Sequence, residues 1–188
     1  MTHMAEDFAG APWPLQPGVE YGEGKRVAEM LCGMAARRTG MECKIARCFA
    51  FVGPHLPLDA HFAIGNFIRD AMAGGPISIQ GDGTPMRSYL YAADLTVWLW
   101  TMLFRAPSLR TFNVGSGNGL SIRSVAEEVA AAVRPGVEIR VARAAAPGAP
   151  VHRYVPDVQA VENELGLREG VSLREAIQRT AAWHRSGA

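Results

Sequence analysis

Charge is scarce in this chain. Of its 188 residues only 20% are charged, the net charge is +1 and 48% are hydrophobic. That balance excludes a disordered chain and leaves no electrostatic footprint for nucleic acid or an anionic membrane. Long apolar runs are missing as well. The longest, residues 97–104, is broken by Thr101 and falls far short of the roughly 20 residues that a spanning helix needs. The opening MTHMAEDFAGAPWP lacks the basic and apolar regions of an export signal, so the cytoplasm is the expected compartment. Cysteine is limited to Cys32, Cys43 and Cys48, with no C-x-x-C pair, and His3, His55, His61, His152 and His184 never fall at metal-ligand spacing. Neither a disulfide framework nor structural zinc is expected. Lysine is scarcer still: of 19 basic residues two are lysines, Lys25 and Lys44, and the other 17 are arginines. What is present is enough length and apolar content for a core, in one domain or two small ones.

Hydrophobic spacing predicts an α/β order. Residues 1–20, rich in Pro and Gly, read as an extended lead-in. Over 21–38 the apolar Val27, Met30, Leu31, Met34 and Ala35 recur at three and four residues before Gly40, the signature of an amphipathic helix with a stop. Residues 43–51 suit one strand buried on both faces, ended by Gly53-Pro54. A second helix is expected over 61–72, then short strands at 77–80 and 86–91 around the turn Gly81-Asp82-Gly83. Asp94 stands where a cap belongs before the apolar helix 95–104, and 111–115 is another buried strand. Ser121 caps a helix running to about 133, residues 137–141 alternate as a strand and 144–150 form a loop. Helices at 157–165 and after the capping box Ser172-x-x-Glu175 finish the chain. Helices between strands imply parallel pairing.

The sharpest local signal is Tyr21-Gly22-Glu23-Gly24-Lys25, because residues four apart share one face of a helix. A phenol titrates near 10, too high for a base at neutral pH. An ammonium beside it stabilises the phenolate, which fits Tyr21 to take a proton from a hydroxyl while Lys25 also grips cofactor hydroxyls. An ordinary solvated pair is the alternative. With four tyrosines and two lysines, a chance Tyr-x-x-x-Lys is expected only about 0.04 times.

The run Tyr21 to Lys25, the strand Ile45-Ala46-Arg47-Cys48-Phe49 leading to Gly53-Pro54, IQGDGTPMRSYLYAAD, FNVGSG and RYVPDVQAVENELGL occur in one order. Together they resemble the extended short-chain dehydrogenase/reductases, specifically the NAD-dependent nucleotide-sugar epimerase/dehydratase family. The resemblance runs from about residue 15 to the C-terminus. It implies a doubly wound Rossmann-like sheet lacking its N-terminal strands, plus a small α/β substrate domain. Residues 21–54 and 92–115 would be the remnant of the dinucleotide-binding domain, and 55–91 with 116–188 the nucleotide-sugar domain. It implies NAD or NADP as cofactor and a UDP-, dTDP-, GDP- or CDP-linked sugar as substrate, with Tyr21 the base and Tyr21 and Lys25 at the cofactor. Arg87 matches the arginine that grips the substrate diphosphate, a task suited to a planar multi-donor cation; a surface arginine is the alternative. Arg153 sits near a second such position, which His152 could fill instead. Gln80 and the turn at 81–83 would lie near the nucleotide base, or simply make a turn.

Two departures from the pattern matter. Where the family commonly reads Arg-x-Phe-Asn-x-Tyr-Gly-Pro, this chain has Ala50 in place of the asparagine. Asn66 on the following helix is a candidate replacement, or merely helix surface. The second departure is the missing glycine-rich turn that would meet a pyrophosphate between a first strand and helix. The run Gly115-Ser116-Gly117-Asn118-Gly119 follows a strand but has G-x-G-x-G spacing and reads as a turn. The family's catalytic Ser or Thr would also precede residue 1. The expectation is therefore the C-terminal half of such an enzyme, not binding NAD alone and inactive alone. Its strand at 45–50 would have an open edge and its Val27, Met30 and Met34 face would be partly uncovered. It would pair with another copy or with a complementing N-terminal half. A nucleotide-sugar-binding module without redox chemistry, or a subunit completing another chain, is the alternative. The sugar, and the choice among epimerisation, dehydration and decarboxylation, are left open.

Overall fold

The structure is a computed structural model and describes residues 3–8, 10 and 13–187. Its elements follow in the order α1 (Glu20–Thr39), β1 (Ile45–Cys48), β2 (Phe51–Val52), α2 (Ala63–Ala73), β3 (Ile77–Ile79), β4 (Met86–Arg87), β5 (Leu90–Tyr91), α3 (Ala92–Arg105), β6 (Thr111–Val114), β7 (Leu120–Ser121), α4 (Ile122–Val133), β8 (Ile139–Val141), β9 (Arg153–Tyr154), α5 (Gln159–Leu165) and α6 (Leu173–Arg185). Parallel pairs β1–β6, β2–β5 and β3–β8 join strands separated by helices, and a small sheet runs β7–β4–β9. Among the described residues no helix is long and apolar enough to cross a membrane.

Two apolar clusters hold these pieces together. In one, α2, α4 and α6 pack over β3 through Ile64, Ile68, Ile77, Val125, Val129 and Ile177, all at 0% exposure. In the other, α3 and α5 cover β6 through Trp98, Met102, Phe112, Val114 and Val161. The second takes in residues 158–167, which the family resemblance grouped with the substrate unit. Helix α1 belongs to neither: only Gly33 and Ala36 are buried along its length. Val27, Met30 and Met34 are about half exposed, and β1 pairs with β6 alone, so the open edge and uncovered face expected from the sequence are both present.

Three expectations need correction. The strand predicted over 43–51 is two, β1 and β2, and β1 is only half-buried, with no strand pairing its second edge among the described residues. The segments at 77–80 and 86–91 do not pair with each other. Asp82 accepts from the Thr84 backbone N–H and hydroxyl at 2.9 and 2.8 Å, and Gly83 takes φ +79°, which a residue with a Cβ adopts only with strain. The Arg123 N–H then donates to the Gly83 carbonyl and the Ile122 N–H to that of Pro85, tying the loop to the start of α4. Asp94 is not a cap: α3 begins at Ala92, and Asp94 in its first turn accepts from the Gly170 and Val171 N–H groups at 3.0 and 3.1 Å. The lead-in is tied to the body of the fold at Met4, which forms a parallel bridge with Pro156. Ser121 and Ser172 do cap α4 and α6, accepting from Ser124 N–H and Glu175 N–H.

Ile68→Ala, which empties space at the centre of the first cluster, should lower the urea-measured unfolding free energy by about 2–5 kcal/mol. Burial pushes the Tyr89 phenol up to about 12. The folded state therefore holds this proton more tightly than the unfolded chain, so the contribution is complete below about pH 10 and disappears as pH rises to 12. Urea titrations across that window should show a loss of about 2–3 kcal/mol that Tyr89→Phe removes.

Candidate functional site

The first turn of α1 carries the chemistry-bearing pair. Tyr21 and Lys25, one helical turn apart, lie with the Lys25 Nζ 5.3 Å from the Tyr21 ring centre. Tyr21 is 78% exposed, and a Cβ added at Gly22 or Gly24 would meet nothing within 4 Å, so this end of the helix is open to a ligand. Its place in the fold is fixed further along, where Arg47 on β1 donates to both carboxylate oxygens of Glu29 on α1 at 2.8 Å. The same guanidinium donates to the Glu6 carbonyl at 2.7 Å.

At the carboxyl end of β1, Cys48 comes under the charge of Lys25, which opposes the upward push of burial on its thiol. The next residue, Phe49, stacks on Tyr154 with ring centres 4.6 Å apart. Tyr154 also lies 5.9 Å from the Arg87 guanidinium carbon. Burial holds the Tyr154 phenol above its ordinary range, the Tyr21 phenol adds to the rise and Arg87 opposes it. Phe49, Tyr154 and Arg87 thus gather at the carboxyl ends of parallel strands, the usual ligand crevice of such sheets, within electrostatic reach of Tyr21, while Cys48 there feels the charge of Lys25. Arg87 donates to the Met86 carbonyl at 2.8 Å and has no carboxylate partner among the described residues.

The other predicted residues lie elsewhere. In the β4–β9 ladder Met86 faces Arg153 and Arg87 faces Tyr154. Side chains alternate along a strand, so Arg153 leaves the side opposite Arg87, and His152 shares the side of Tyr154. Gln80, just past β3, is exposed. Asn66 accepts from Arg69 at 3.2 Å, and among the described residues no hydrogen bond links it to the cluster. Tyr154 and Phe49 are the residues that sequence reasoning missed; the signal for Tyr154 was an aromatic in RYVPD, directly after a basic pair.

The glycine run 115–119 is not a phosphate cradle. A Cβ on Gly115 would meet Pro156 Cγ at 3.0 Å and Phe49 Cβ at 3.1 Å, and one on Gly119 would meet Val155 Cγ2 at 2.9 Å. Their backbone is filled in by protein, and the chain continues into β7 rather than a helix. Tyr21 and Lys25 fit the hydroxyl-bearing end of a dinucleotide, but nothing among the described residues fits its pyrophosphate.

Comparison with known proteins decides the kinship. Residues 3–115 match the model of the NAD dependent epimerase/dehydratase family. The chain belongs to that family. UDP-glucuronic acid decarboxylase 6 of Arabidopsis thaliana is 33% identical over 174 residues, covering 93% of this chain and 50% of the relative. UDP-glucuronic acid decarboxylase 1 of Xenopus tropicalis is 29% identical, covering 97% of this chain and 42% of the relative. Among solved structures, UDP-glucuronic acid 4-epimerase from Bacillus cereus in complex with NAD superposes with a TM-score of 0.78 at 21% identity, covering 99% of this chain and 55% of that one. DesIV, a dTDP-glucose 4,6-dehydratase from Streptomyces venezuelae with NAD bound, gives 0.74 at 25% identity, covering 94% and 55%. The chain of this family member spans about half the length of these relatives, and its fold is part of a Rossmann-type α/β fold.

Removing the Phe49 ring should open the Tyr154 phenol to water and bring its titration back toward the ordinary tyrosine range. Ultraviolet titration of Phe49→Ala against the parent, with Tyr154→Phe as the assignment control, checks this.

Proposed function

We propose that this chain holds and orients a nucleotide sugar for an NAD-dependent epimerase, dehydratase or decarboxylase reaction, and that it does not turn over alone. The convergence of Tyr21, Tyr154 and Arg87, drawn from three distant stretches of sequence, carries the reading. Arg87 offers unpaired donors to the substrate diphosphate, with His152 on the same side. As the phenolate, the exposed Tyr21 accepts the proton of a sugar hydroxyl and becomes the neutral phenol, and the Lys25 ammonium offsets the negative charge that the phenolate carries. Tyr154, neutral at physiological pH, lends a donor hydroxyl and an aromatic wall between them. The names of the similar decarboxylases make a UDP-linked uronic acid the first substrate to try.

Cofactor binding is assigned to a partner segment. The chain offers a Tyr/Lys pair for the hydroxyls of NAD, and among the described residues there is no pyrophosphate cradle, so no step through the cofactor is derived. Completion by a dinucleotide-binding half is favoured by the bare edge of β1 and by the apolar face of α1 that flanks it. The cytoplasm is the compartment that goes with this reading.

Calorimetry should detect UDP-glucuronic acid binding to this chain, weakened at least 10-fold in Arg87→Gln, and no heat with NAD. NAD binding, or indifference to Arg87→Gln, would overturn the assignment. With the dinucleotide-binding half of a relative supplied in trans, Tyr21→Phe should cut restored turnover by about 10²-fold or more; unchanged turnover would remove Tyr21 as the base.

A further inference from the structure

Behind the β7–β4–β9 sheet, on the side away from Arg87 and Tyr154, lies an open cleft of about 680 Å³, within the size range of small-molecule sites. Arg123 from the start of α4, Arg143 from the loop after β8 and Arg153 from β9 all line it, together with Thr84 and Asp82. Met86, Val141, Ala144 and Val151 supply an apolar wall. Met86 and Ser121 are paired across β4–β7, and Met86 and Arg153 across β4–β9, so these side chains emerge on one side of the sheet while Arg87 and Tyr154 emerge on the other.

The charge of this cleft is uncompensated. Seven arginines of the chain are ion-paired among the described residues, but Arg123, Arg143 and Arg153 are not among them. The one carboxylate in the lining, Asp82, is held below its usual range mainly by the Thr84 N–H and hydroxyl, with Arg143 adding a smaller pull. Three guanidiniums against one carboxylate leave an excess of two positive charges facing a shared space. A single exposed arginine contributes little, but several converging on one phosphate supply charge-assisted, multidentate contacts. The apolar wall beside them suits the flat face of a base.

We propose that this cleft is a second anion site, which takes a nucleotide-sized phosphorylated ligand through Arg123, Arg143 and Arg153. It is separate from the diphosphate position beside Arg87. The inference does not depend on the role given to Tyr21, and it removes Arg153 from the reaction cluster.

Equilibrium dialysis and calorimetry with UDP and with inorganic pyrophosphate, at low salt, test it on the whole chain. The expected result is two UDP sites per chain. The double variant Arg123→Gln/Arg143→Gln should lose one site and bind pyrophosphate at least 10-fold more weakly, while Arg87→Gln should lose only the other. These arginines are exposed, and unchanged urea midpoints confirm intact folding. As a second readout, backbone amide NMR shifts on adding pyrophosphate should move at Thr84 and Arg153 in the parent and not in the double variant. One UDP site abolished by Arg87→Gln, with the double variant binding as the parent does, would overturn the second site while leaving the first intact. Binding of RNA or long polyphosphate without UDP or pyrophosphate would overturn it as well.

Discussion

The two-pronged contact between Arg47 and Glu29 is the constraint on which the site depends. Helices α2, α3, α4, α5 and α6 are placed by apolar clusters, and α1 is not. An opening of about 470 Å³ runs between α1 and β1, lined by Glu29, Met30, Gly33 and Arg47, where a tightly packed helix would leave none. Glu29 raises the hold of the Arg47 guanidinium on its proton, and the Glu6 carbonyl anchors the same group. The pair is partly open to solvent, with side-chain exposures of 36% and 29%, so it fixes geometry more than it adds stability. Tyr21 and Lys25 take their position from it.

From that latch the remaining arrangement follows. The parallel ladder between β1 and β6 brings Cys48 level with Val114 and delivers Phe49 to the crevice at the strand ends. Phe49 stacks on Tyr154, and Tyr154 feels both the Tyr21 phenol and the Arg87 guanidinium. The small three-stranded sheet then separates basic groups by strand alternation alone: one side carries Arg87 beside Tyr154, and the other carries the cleft of Arg123, Arg143 and Arg153.

Much of this was legible in the sequence. Period-3.6 apolar spacing located the helices, the caps at Ser121 and Ser172 were readable three residues ahead, and Tyr21-x-x-x-Lys25 needed only helical geometry. Family resemblance supplied Arg87. What stayed hidden was whatever depends on contacts between distant segments. A two-residue strand such as β4 has no periodicity to read, so its partners β7 and β9 were invisible, and with them the side from which Arg153 emerges. Asp94 looked like a cap because its alternative partners, the N–H groups of Gly170 and Val171, lie 76 and 77 residues away. Phe49 read as strand core; its stacking on Tyr154 joins segments far apart in the chain and has no local signature.

The central claim is that the helix bearing Tyr21 and Lys25 is latched by a polar contact, with its apolar face left for another segment. Residue-resolved hydrogen exchange on the chain, kept dilute enough to be monomeric, tests it most directly. The account predicts that amides of residues 27–34 in α1 exchange orders of magnitude faster than those of α4, whose face is buried, and that Arg47→Met speeds α1 further without touching α4. Protection of α1 equal to that of α4, unchanged in Arg47→Met, would contradict it.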